Sequence, residues 1–569
     1  MIGTYAAVVA VCAASLVFGQ AAIALCGGRR WSWLAAPVGL ALLCALCWGT
    51  VRLPGDGVVS AVLVLLLTVG AVVYLRDRVE DGGEALRSGL PVALGALLAT
   101  ALPFIAEGHF GILGTSFNPD MSQHLLAADR LADGQSSQLL VQGYPLGPHA
   151  IVVALNKGLG IGLVQGFTGL TISVAVLASL TALAAFRELP ATPRTAGALL
   201  VGLAYIVASY FAQGAFKETM QALFLLAFVL ALRAADRTWS ELPLRYAPAA
   251  LIAAGSLYSY SFPSLVWLGP AFVLWLIVCR PSMRPLGLAS IVFAVLVLPE
   301  LGRMIDFQQF ETFDPNGPGL GNLFGQISPF EALGIWPSGD FRLSPGDGAV
   351  PALGYYLGVA FAFILFAYGV VWLWRRRESA ILAGLGAAGL AYAAARLGGT
   401  PYTAAKAIEI GAPLVALAIL LPLFTASAGR VFVDIGGKVT PPRARLAAGV
   451  FVLAAGVCSL LALANAPVGP TSYTSKLSEY RKLVGEGPTL VIASPQLLED
   501  EHGEPFLAWE LRGGRVCIKS SDDPGLPAGT RFVIRDEGGW TLERVSDPPP
   551  GKSPCPLIAV RQARQGPAR

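Results

Sequence analysis

Apolar residues run along most of this chain in long stretches, separated by short polar segments. A helix needs about 20 apolar residues to cross the ~30 Å hydrocarbon core of a bilayer, so such a stretch predicts a membrane span. The candidate spans lie at roughly 5–25, 33–50, 58–75, 88–106, 163–186, 195–211, 217–232, 246–261, 264–279, 285–299, 351–374, 379–396, 406–425 and 446–464. The pattern therefore predicts an α-helical polytopic membrane protein with about fourteen spans.

The composition agrees with this prediction. Of the 569 residues, 55% are apolar and 13% are charged, and the mean hydropathy is +0.63. Soluble domains carry about 25% charged residues, so this chain has too little polar surface for one soluble globule of its size. Cytosolic enzymes, nucleic-acid-binding proteins and disordered proteins are therefore excluded, and we expect membrane lipid but no nucleic acid among its partners.

The basic residues predict the orientation of the spans. With an outside N-terminus, the inside loops carry nineteen Lys and Arg residues, and the outside loops and helix ends up to residue 464 carry eight. Positive charge accumulates in cytoplasmic loops, so this bias predicts that both the N-terminus and the C-terminal tail are extracytoplasmic. The first span lacks a basic leader and a clear cleavage site, which predicts a retained helix. The excess of Arg over Lys suggests a GC-rich bacterial genome, and hence a bacterial plasma membrane.

The tail after residue 464 differs in character from the rest of the chain. Short apolar runs typical of strands occur in it, one helical stretch lies among them, and turn residues separate them. The runs are 489–493, 515–518, 531–534 and 557–560, and the helical stretch is about 504–511. We predict three additional N-terminal helices (1–87), a membrane core (88–464) with outer loops 107–162 and 300–350, and a small extracytoplasmic α/β domain (465–569).

The cysteines fit a membrane core with an external domain. Six of the eight lie in or beside apolar spans, where cysteine behaves as a small hydrophobic residue, and only Cys517 and Cys555 lie in the tail. Outside the cytoplasm such a pair is a candidate disulfide, the alternative being two free buried thiols. No Walker A motif occurs in the sequence.

The most informative stretch for chemistry is 115–134 in the first outer loop. Pro119 breaks any earlier helix, so Asp120 lies at the start of a helix over 121–132, with His124 one turn further on the same face. Asp120 is either a helix cap, completed by Gln123, or a general base. His124 either orients that carboxylate, binds a phosphate when protonated, or is an ordinary interfacial histidine.

Several cations lie at the outer ends of predicted spans, namely Lys217, Arg303, Arg396 and Lys406. A charge is costly inside the bilayer, so such residues tend to face a cavity or a partner. Together they would suit a lipid-linked phosphate, whose hydrocarbon tail stays in the membrane. The alternatives are snorkelling for Lys217 and an i,i+3 ion pair for Lys406 with Glu409.

The segment 144–149 follows the Asp120 helix and contains two prolines. Its Tyr144 and His149 either contribute to a sugar or lipid wall or belong to a plain structural turn. We include both residues, and Glu409, among the candidate substrate-binding or lipid-phosphate-binding residues.

At this point the chain resembles the GT-C superfamily of membrane glycosyltransferases, which take sugars from polyprenyl-phosphate carriers. Residues 117–134 carry the resemblance, with Asp120 in the first large outer loop. The resemblance implies that Asp120 is the catalytic base and that Lys217, Arg396 and Lys406, with Arg303 behind them, hold the phosphate. The paired acidic motif of the family is absent, because Met121 follows Asp120. A divalent cation is therefore left open as a cofactor.

The leading functional hypothesis is a glycosyltransferase that moves a sugar, with inversion, from a polyprenyl-phosphate-linked donor to an acceptor hydroxyl. The acceptor would be a glycan, a lipid or a protein on the outer face of the membrane. The alternatives are a transporter or lipid-linked-substrate flippase, and a non-catalytic assembly protein of the cell envelope.

Overall fold

The computed structural model describes residues 1–114, 120–308, 319–348, 350–428, 441–469, 475–499, 503–522, 525–536 and 538–555. In these ranges 11 helices are long and apolar enough to cross a membrane, and a pair bent by 51° makes up to 12 if it is one span. With these helices and a C-terminal sheet of four strands, the chain is an α-helical polytopic membrane protein with a small C-terminal α/β unit.

The helices are numbered in chain order. The first eleven are α1 (Ile2–Leu25), α2 (Ala35–Thr50), α3 (Asp56–Leu75), α4 (Gly82–Glu107), α5 (Met121–Ala132), α6 (Gln138–Val141), α7 (Gly147–Leu159), α8 (Leu163–Phe186), α9 (Ala191–Gly202), α10 (Tyr205–Ala212) and α11 (Phe216–Arg237).

The later helices of the membrane part are α12 (Ala247–Tyr260), α13 (Leu265–Cys279), α14 (Met283–Val297), α15 (Leu301–Gln308), α16 (Ala352–Arg375), α17 (Ser379–Gly398), α18 (Pro401–Ser427) and α19 (Pro441–Ala464). Short 3-10 turns cover Phe262–Ser264, Leu298–Glu300 and Pro329–Leu333. The C-terminal unit contains α20 (Ser475–Glu479), α21 (Arg481–Val484), β1 (Thr489–Ala493), α22 (Pro495–Glu499), α23 (Gly503–Glu510), β2 (Val516–Ser520), β3 (Phe532–Asp536) and β4 (Trp540–Arg544).

Every predicted span corresponds to a helix, but four differ in form. The span predicted at 33–50 is the 16-residue α2, which is shorter than a bilayer crossing. The span predicted at 195–211 is broken into α9 and α10, where a side chain at Gly202 would overlap the backbone of Ser179 in α8. The span predicted at 246–261 is the 14-residue α12, which is shorter than a bilayer crossing. The span predicted at 285–299 continues through α15 to Gln308.

Three helices form the centre of the bundle. In α8, α11 and α18, 89%, 89% and 94% of the apolar window is buried by protein, whereas in α3 the share is 6%. A helix that is apolar on all sides and buried by protein has other helices around it, so α8, α11 and α18 lie inside the bundle. α3, which is hardly buried, faces outward. The polar ends of α11 and α18 are therefore held inside the protein rather than at its rim.

The outer loop predicted at 107–162 contains three helices, α5, α6 and α7. α7 buries a continuous run of its residues against α2, α3 and α8. Because α7 is buried, it gives α5 a rigid surface to pack on.

The C-terminal unit is built on a sheet with the order β2-β1-β3-β4. β1 pairs in parallel with β2 and β3, and β4 pairs antiparallel with β3. The strand predictions at 489–493, 515–518 and 531–534 match β1, β2 and β3, and the helical prediction matches α23. β4 was not predicted, because only two of the five residues of this edge strand are apolar. The run at 557–560 lies outside the described residues.

Cys517 of β2 and Cys555 are joined by a disulfide in the structure. This is the pairing that the sequence analysis proposed for the tail. The other cysteines, Cys12, Cys26, Cys44, Cys47, Cys279 and Cys458, are free thiols that are buried or half-buried in the membrane part.

Candidate functional site

Two glycines bring the chain before α5 next to the start of α11. Gly114 and Gly214 both have positive φ, and a Cβ on Gly114 would lie 2.0 Å from the carbonyl carbon of Gln213. A Cβ on Gly214 would lie 2.4 Å from the carbonyl oxygen of Leu113. Only glycine permits both the backbone conformation and this approach. The segment leading to α5 is thereby fixed against the turn that precedes Lys217, although 115–119 lie outside the described residues.

Asp120 is the residue before α5. Its backbone carbonyl accepts hydrogen bonds from the backbone N–H groups of Gln123 and His124, at 3.0 and 3.2 Å. Its side chain makes no capping hydrogen bond to its own helix, so the capping role considered from the sequence is not what holds the carboxylate. The carboxylate acts electrostatically on the ammonium of Lys217 and on Tyr402, which places all three groups in one neighbourhood.

Lys217 lies in the first turn of α11 and Lys406 in the second turn of α18, and the two lysines have matching surroundings. The ammonium of Lys217 lies 4.3 Å from the ring centre of Tyr144, and that of Lys406 lies 4.3 Å from the ring centre of Tyr402. A cation over an aromatic face is attracted by the ring quadrupole, most strongly where water is excluded. Both lysines are half-buried, so their ammonium groups are held in place while one side stays accessible.

The start of α18 is fixed by its own sequence. Thr400 caps the helix by accepting a hydrogen bond from the Thr403 N–H at 3.2 Å, and Pro401 supplies a helical φ at the first position. These two residues decide that Lys406 falls in the second turn. There its ammonium forms an ion pair with Glu218 Oε1 at 3.0 Å.

Glu409 does not form the i,i+3 ion pair with Lys406 that the sequence allowed, because Lys406 pairs with Glu218 of α11 instead. Glu409 lies about 4.5 Å further along the axis of α18 than Lys406 and is fully buried. Neither of its carboxyl oxygens has a hydrogen-bond partner among the residues that the structure describes. A buried polar group of this kind calls for an internal water or a ligand atom as its partner.

His124 and His149 are brought together inside an aromatic cluster. His149 Nε2 and His124 Nδ1 share a hydrogen bond at 3.2 Å, and the rings of Tyr144, Phe167 and Phe216 surround the pair. His149 is fully buried and His124 is 5% exposed. Burial lowers the pKa of His149 to about 3, so its ring is neutral at physiological pH. The two histidines connect α5 to α7 directly beneath Tyr144.

The buried state of His149 predicts a loss of stability in acid. Its pKa is about 3 in the folded protein and about 6.5 in an unfolded chain, so below pH 6.5 the unfolded state binds a proton that the folded state excludes. We expect the free energy of unfolding to fall by about 2 kcal/mol between pH 7 and pH 5 from this group. Thermal unfolding of the detergent-solubilised protein at both pH values measures this loss.

The matched variants for that experiment are His149→Gln and His109→Gln. The first should remove most of the pH dependence, and the second should leave it unchanged because His109 is exposed. An equal loss of stability in acid for wild type and His149→Gln would contradict this role of burial.

The two arginines predicted for the site are placed differently from the lysines. Arg303 donates hydrogen bonds to the carbonyls of Tyr144 and Leu140, forms an ion pair with Glu300 at 3.4 Å, and lies over Trp48. It therefore supports the segment that presents Tyr144. Arg396 is exposed near the end of α17, and in the described part of the chain no contact joins it to the cluster. The structure brings together Asp120, Lys217 and Lys406 but not Arg396.

Glu218 and Tyr402 were missed as members of the cluster by sequence reasoning. Glu218 is 5% exposed, interacts with both lysines, and is held by the packing of α11 against α18. The available signal was the pair of opposite charges at 217–218 inside an apolar stretch, since buried charges in proteins are normally paired. Tyr402 gave no comparable signal.

The C-terminal unit docks on α5. Arg512, which follows α23, lies 3.8 Å from Asp129 of α5 and stacks 3.5 Å above the ring of Trp509. Burial lowers the pKa of Arg512 to about 10, so it stays charged at neutral pH. A cleft of about 510 Å³, lined among others by Asp129, Lys157, Arg481 and Arg512, lies between the unit and α5. A polar cleft therefore lies on the same helix that begins beside Asp120.

Among the described residues, no group of three or more His, Cys, Asp or Glu side chains is arranged to hold a metal ion. The charged groups of the cluster around Asp120 are the two lysines, Lys217 and Lys406, and the carboxylate of Glu218.

Sequence comparison gives no match to a family model and none to a curated protein. Fold comparison finds solved structures that are similar to this chain in part. Arabinofuranosyltransferase AftD from Mycobacteria is 16% identical with a TM-score of 0.48, over 78% of this chain and 35% of that one. Archaeal oligosaccharyltransferase AglB from Archaeoglobus fulgidus is 13% identical with a TM-score of 0.47, over 79% and 69%. ArnT from Cupriavidus metallidurans is 14% identical with a TM-score of 0.45, over 79% and 92%. This chain thus spans little more than a third of AftD, and the likeness to all three concerns the fold alone.

Proposed function

We propose that this chain is a membrane glycosyltransferase that moves a sugar from a polyprenyl-phosphate-linked donor to an acceptor hydroxyl. The active site is the cluster of Asp120, Lys217, Lys406 and their aromatic neighbours Tyr144 and Tyr402. On the orientation predicted from the basic residues, it faces the extracytoplasmic side, and the acceptor is a glycan, a lipid or a protein.

The observation that carries the proposal is the convergence of two half-buried lysines with the carboxylate of Asp120 at the same end of the bundle. Glu218 is the second carboxylate of this cluster and forms the ion pair with Lys406. The lysines come from different spans, and each lies over a tyrosine ring. Two cations in a partly dehydrated site suit a phosphate whose charge grows during the reaction. A prenyl chain attached to that phosphate can remain between the helices or in the bilayer.

The chemistry follows from these positions. Asp120 accepts the proton of the acceptor hydroxyl as its oxygen attacks the anomeric carbon, and the bond from that carbon to the phosphate oxygen breaks. The bonding electron pair leaves with the polyprenyl phosphate. Lys217 and Lys406 stabilise the negative charge that develops on it. Attack opposite to the leaving group inverts the anomeric configuration, and the product gains the sugar at the former hydroxyl.

The cleft between α5 and the C-terminal unit is where we place the approach of the acceptor. It lies along the helix that begins beside Asp120, and its lining carries both charges and amides. The aromatic cluster beneath Tyr144 holds α5 in register, and we assign His124 and His149 to that positioning role. Arg303 supports the same segment through its hydrogen bond to the Tyr144 carbonyl.

Binding of the carrier tests the phosphate site. We expect undecaprenyl phosphate to bind the purified full-length protein, and the double variant Lys217→Gln and Lys406→Gln to bind it about 100-fold more weakly. Each lost charge-assisted contact is worth about a factor of ten. The binding can be followed by intrinsic tryptophan fluorescence or by the shift of the unfolding temperature.

Arg396→Gln is the matched control, since it removes one positive charge from the same end of the bundle at an exposed position. Its affinity should equal that of wild type. If the double variant binds undecaprenyl phosphate as tightly as wild type, or if Arg396→Gln weakens binding as strongly, the proposed phosphate site is wrong.

A further inference from the structure

A second cleft, of about 490 Å³, opens at the other end of the bundle. α11 begins beside Lys217 in the cluster around Asp120 and ends 22 residues later, about 33 Å away, at Arg237. Arg237 lines this second cleft. α13 and α16 also end at the cleft, and α12, α14 and α17 begin near it. The charged lining residues are Arg233, Asp236, Arg237, Arg245, Arg280, Arg377 and Glu378.

Both carboxylates of this cleft are fully used by the protein itself. Glu378 is 3% exposed and accepts two hydrogen bonds from Arg233, at 2.7 and 3.0 Å, with Arg237 3.0 Å away. Asp236 accepts hydrogen bonds from the Trp275 indole N–H at 2.8 Å and from the Tyr246 hydroxyl at 3.1 Å. Neither carboxylate pairs with the remaining arginines.

Three guanidinium groups are therefore left without an opposing charge. Arg245 donates to the Ser282 hydroxyl at 2.8 Å and to the carbonyl of Ser240, both of which are neutral. The guanidinium groups of Arg280 and Arg377 have no ion pair or hydrogen bond within the described parts of the chain. Because five arginines face two carboxylates, the cleft has a formal excess of three positive charges.

The backbone places two of these arginines where glycine would be more favourable. Arg280 ends α13 with φ +45°, and Arg377 lies just beyond α16 with φ +53°. Residues with a Cβ seldom adopt this left-handed conformation, and helix ends of this kind usually carry glycine. At both of these backbone positions an unpaired arginine lines the same cleft. A helix end with a purely structural role does not require an arginine there.

Apolar surface continues from the cleft along its helices. Ile277 and Val278 of α13, Met283 of α14 and Trp374 of α16 are 63%, 64%, 74% and 76% exposed. In a membrane protein such surface contacts acyl chains. A cationic cleft with apolar flanks matches a lipid whose phosphate is in the cleft and whose chains lie along α13, α14 and α16.

We propose that this cleft binds a phosphate-bearing anion, namely the headgroup of an anionic phospholipid in the leaflet opposite the active site. The planar fork of arginine matches phosphate oxygens with paired hydrogen bonds, and the weak hydration of the guanidinium lowers the cost of removing water. The site is independent of the proposed transferase chemistry, because it shares no residue with the cluster around Asp120.

The test uses the delipidated full-length protein in a neutral detergent. Phosphatidylglycerol, phosphatidylcholine and inorganic phosphate are titrated separately, and the unfolding temperature is followed, since a ligand of the folded state raises it in proportion to its affinity. We expect phosphatidylglycerol to stabilise wild type far more than phosphatidylcholine. Arg280→Gly and Arg377→Gly should each weaken its apparent affinity about tenfold.

The glycine variants suit the backbone at both positions, so without lipid their unfolding temperatures should equal or exceed that of wild type. Arg87→Gln is the matched control, because Arg87 is an exposed arginine near the start of α4 at the same end of the bundle. It should leave the affinity for phosphatidylglycerol unchanged.

The three ligands distinguish the source of the phosphate. Stabilisation by phosphatidylglycerol alone supports a lipid headgroup, and equal stabilisation by inorganic phosphate with the same dependence on Arg280 and Arg377 supports a soluble phosphate in the same cleft. The proposal is overturned if the double glycine variant binds phosphatidylglycerol like wild type. It is equally overturned if Arg87→Gln weakens binding as much as the cleft variants, because that result indicates unspecific surface charge.

Discussion

Replacing Asp120 by asparagine is expected to lower the rate of sugar transfer about 10²–10⁴-fold, the usual contribution of a general base. Asparagine has nearly the same shape but cannot take up the proton of the acceptor hydroxyl. The phosphate ligands Lys217 and Lys406 are unchanged, so the affinity for undecaprenyl phosphate should stay within a few-fold of wild type. The measurement is transfer from a radiolabelled polyprenyl-phosphate sugar, with carrier binding followed in parallel.

Asp347→Asn is the control for this experiment. Asp347 is an exposed residue of the outer loop predicted at 300–350 and is not part of the lining of the cleft beside α5. It should retain full transfer activity. A variant Asp120→Asn that transfers sugar at more than a tenth of the wild-type rate would exclude Asp120 as the base. Substrate movement across the membrane that persists in this variant would favour a transporter.

Arg233→Met is expected to cause the largest loss of stability, about 3 kcal/mol, because it removes the buried partner of Glu378 and leaves this buried carboxylate with only the more exposed Arg237. Arg233 makes two hydrogen bonds to Glu378, whose side chain is 3% exposed. This pair connects α11 to the start of α17. Unfolding of the purified protein in mixed micelles of increasing sodium dodecyl sulfate content measures the change.

Arg237→Met provides the comparison, since Arg237 contacts the same carboxylate but its side chain is 45% exposed. The expected loss is about 1 kcal/mol, because exposed ion pairs contribute little. Adding Glu378→Leu to Arg233→Met should recover part of the stability, because it removes the buried carboxylate that has lost Arg233 as its partner. Equal losses for the two arginine variants would show that burial of Arg233 does not decide its contribution.

The cluster around Asp120 was only partly predictable. Residues 121–132 have a clear helical pattern and Pro119 precedes them, so the position of Asp120 before a helix follows from local sequence. The two lysines were visible as charges at the ends of apolar stretches. Their sequence positions, 189 residues apart, carry no information on whether they meet, and the same reasoning that selected Lys406 also selected the exposed Arg396.

The pairing of charges was decided by packing between helices. Lys406 could pair with Glu409 one turn away, but Glu218 on α11 lies at 3.0 Å and forms the ion pair. Local spacing gives the set of permitted partners, and only the packing of α11 against α18 selects among them. The loop at 107–162 shows the same limit, since the sequence placed it between spans without indicating its contacts, and α7 is buried by α2, α3 and α8.

The sequence by itself determined the membrane class, the positions of the spans, the positions of three strands of the tail and the pair Cys517 and Cys555. These properties depend on hydrophobic length, on residue periodicity and on cysteine position, which are local and additive along the chain. The tertiary structure alone decided which charges meet, which arginines are left unpaired, and that the C-terminal unit docks on α5. Such contacts join residues far apart in the chain, and their energies depend on burial and distance, which no local pattern encodes.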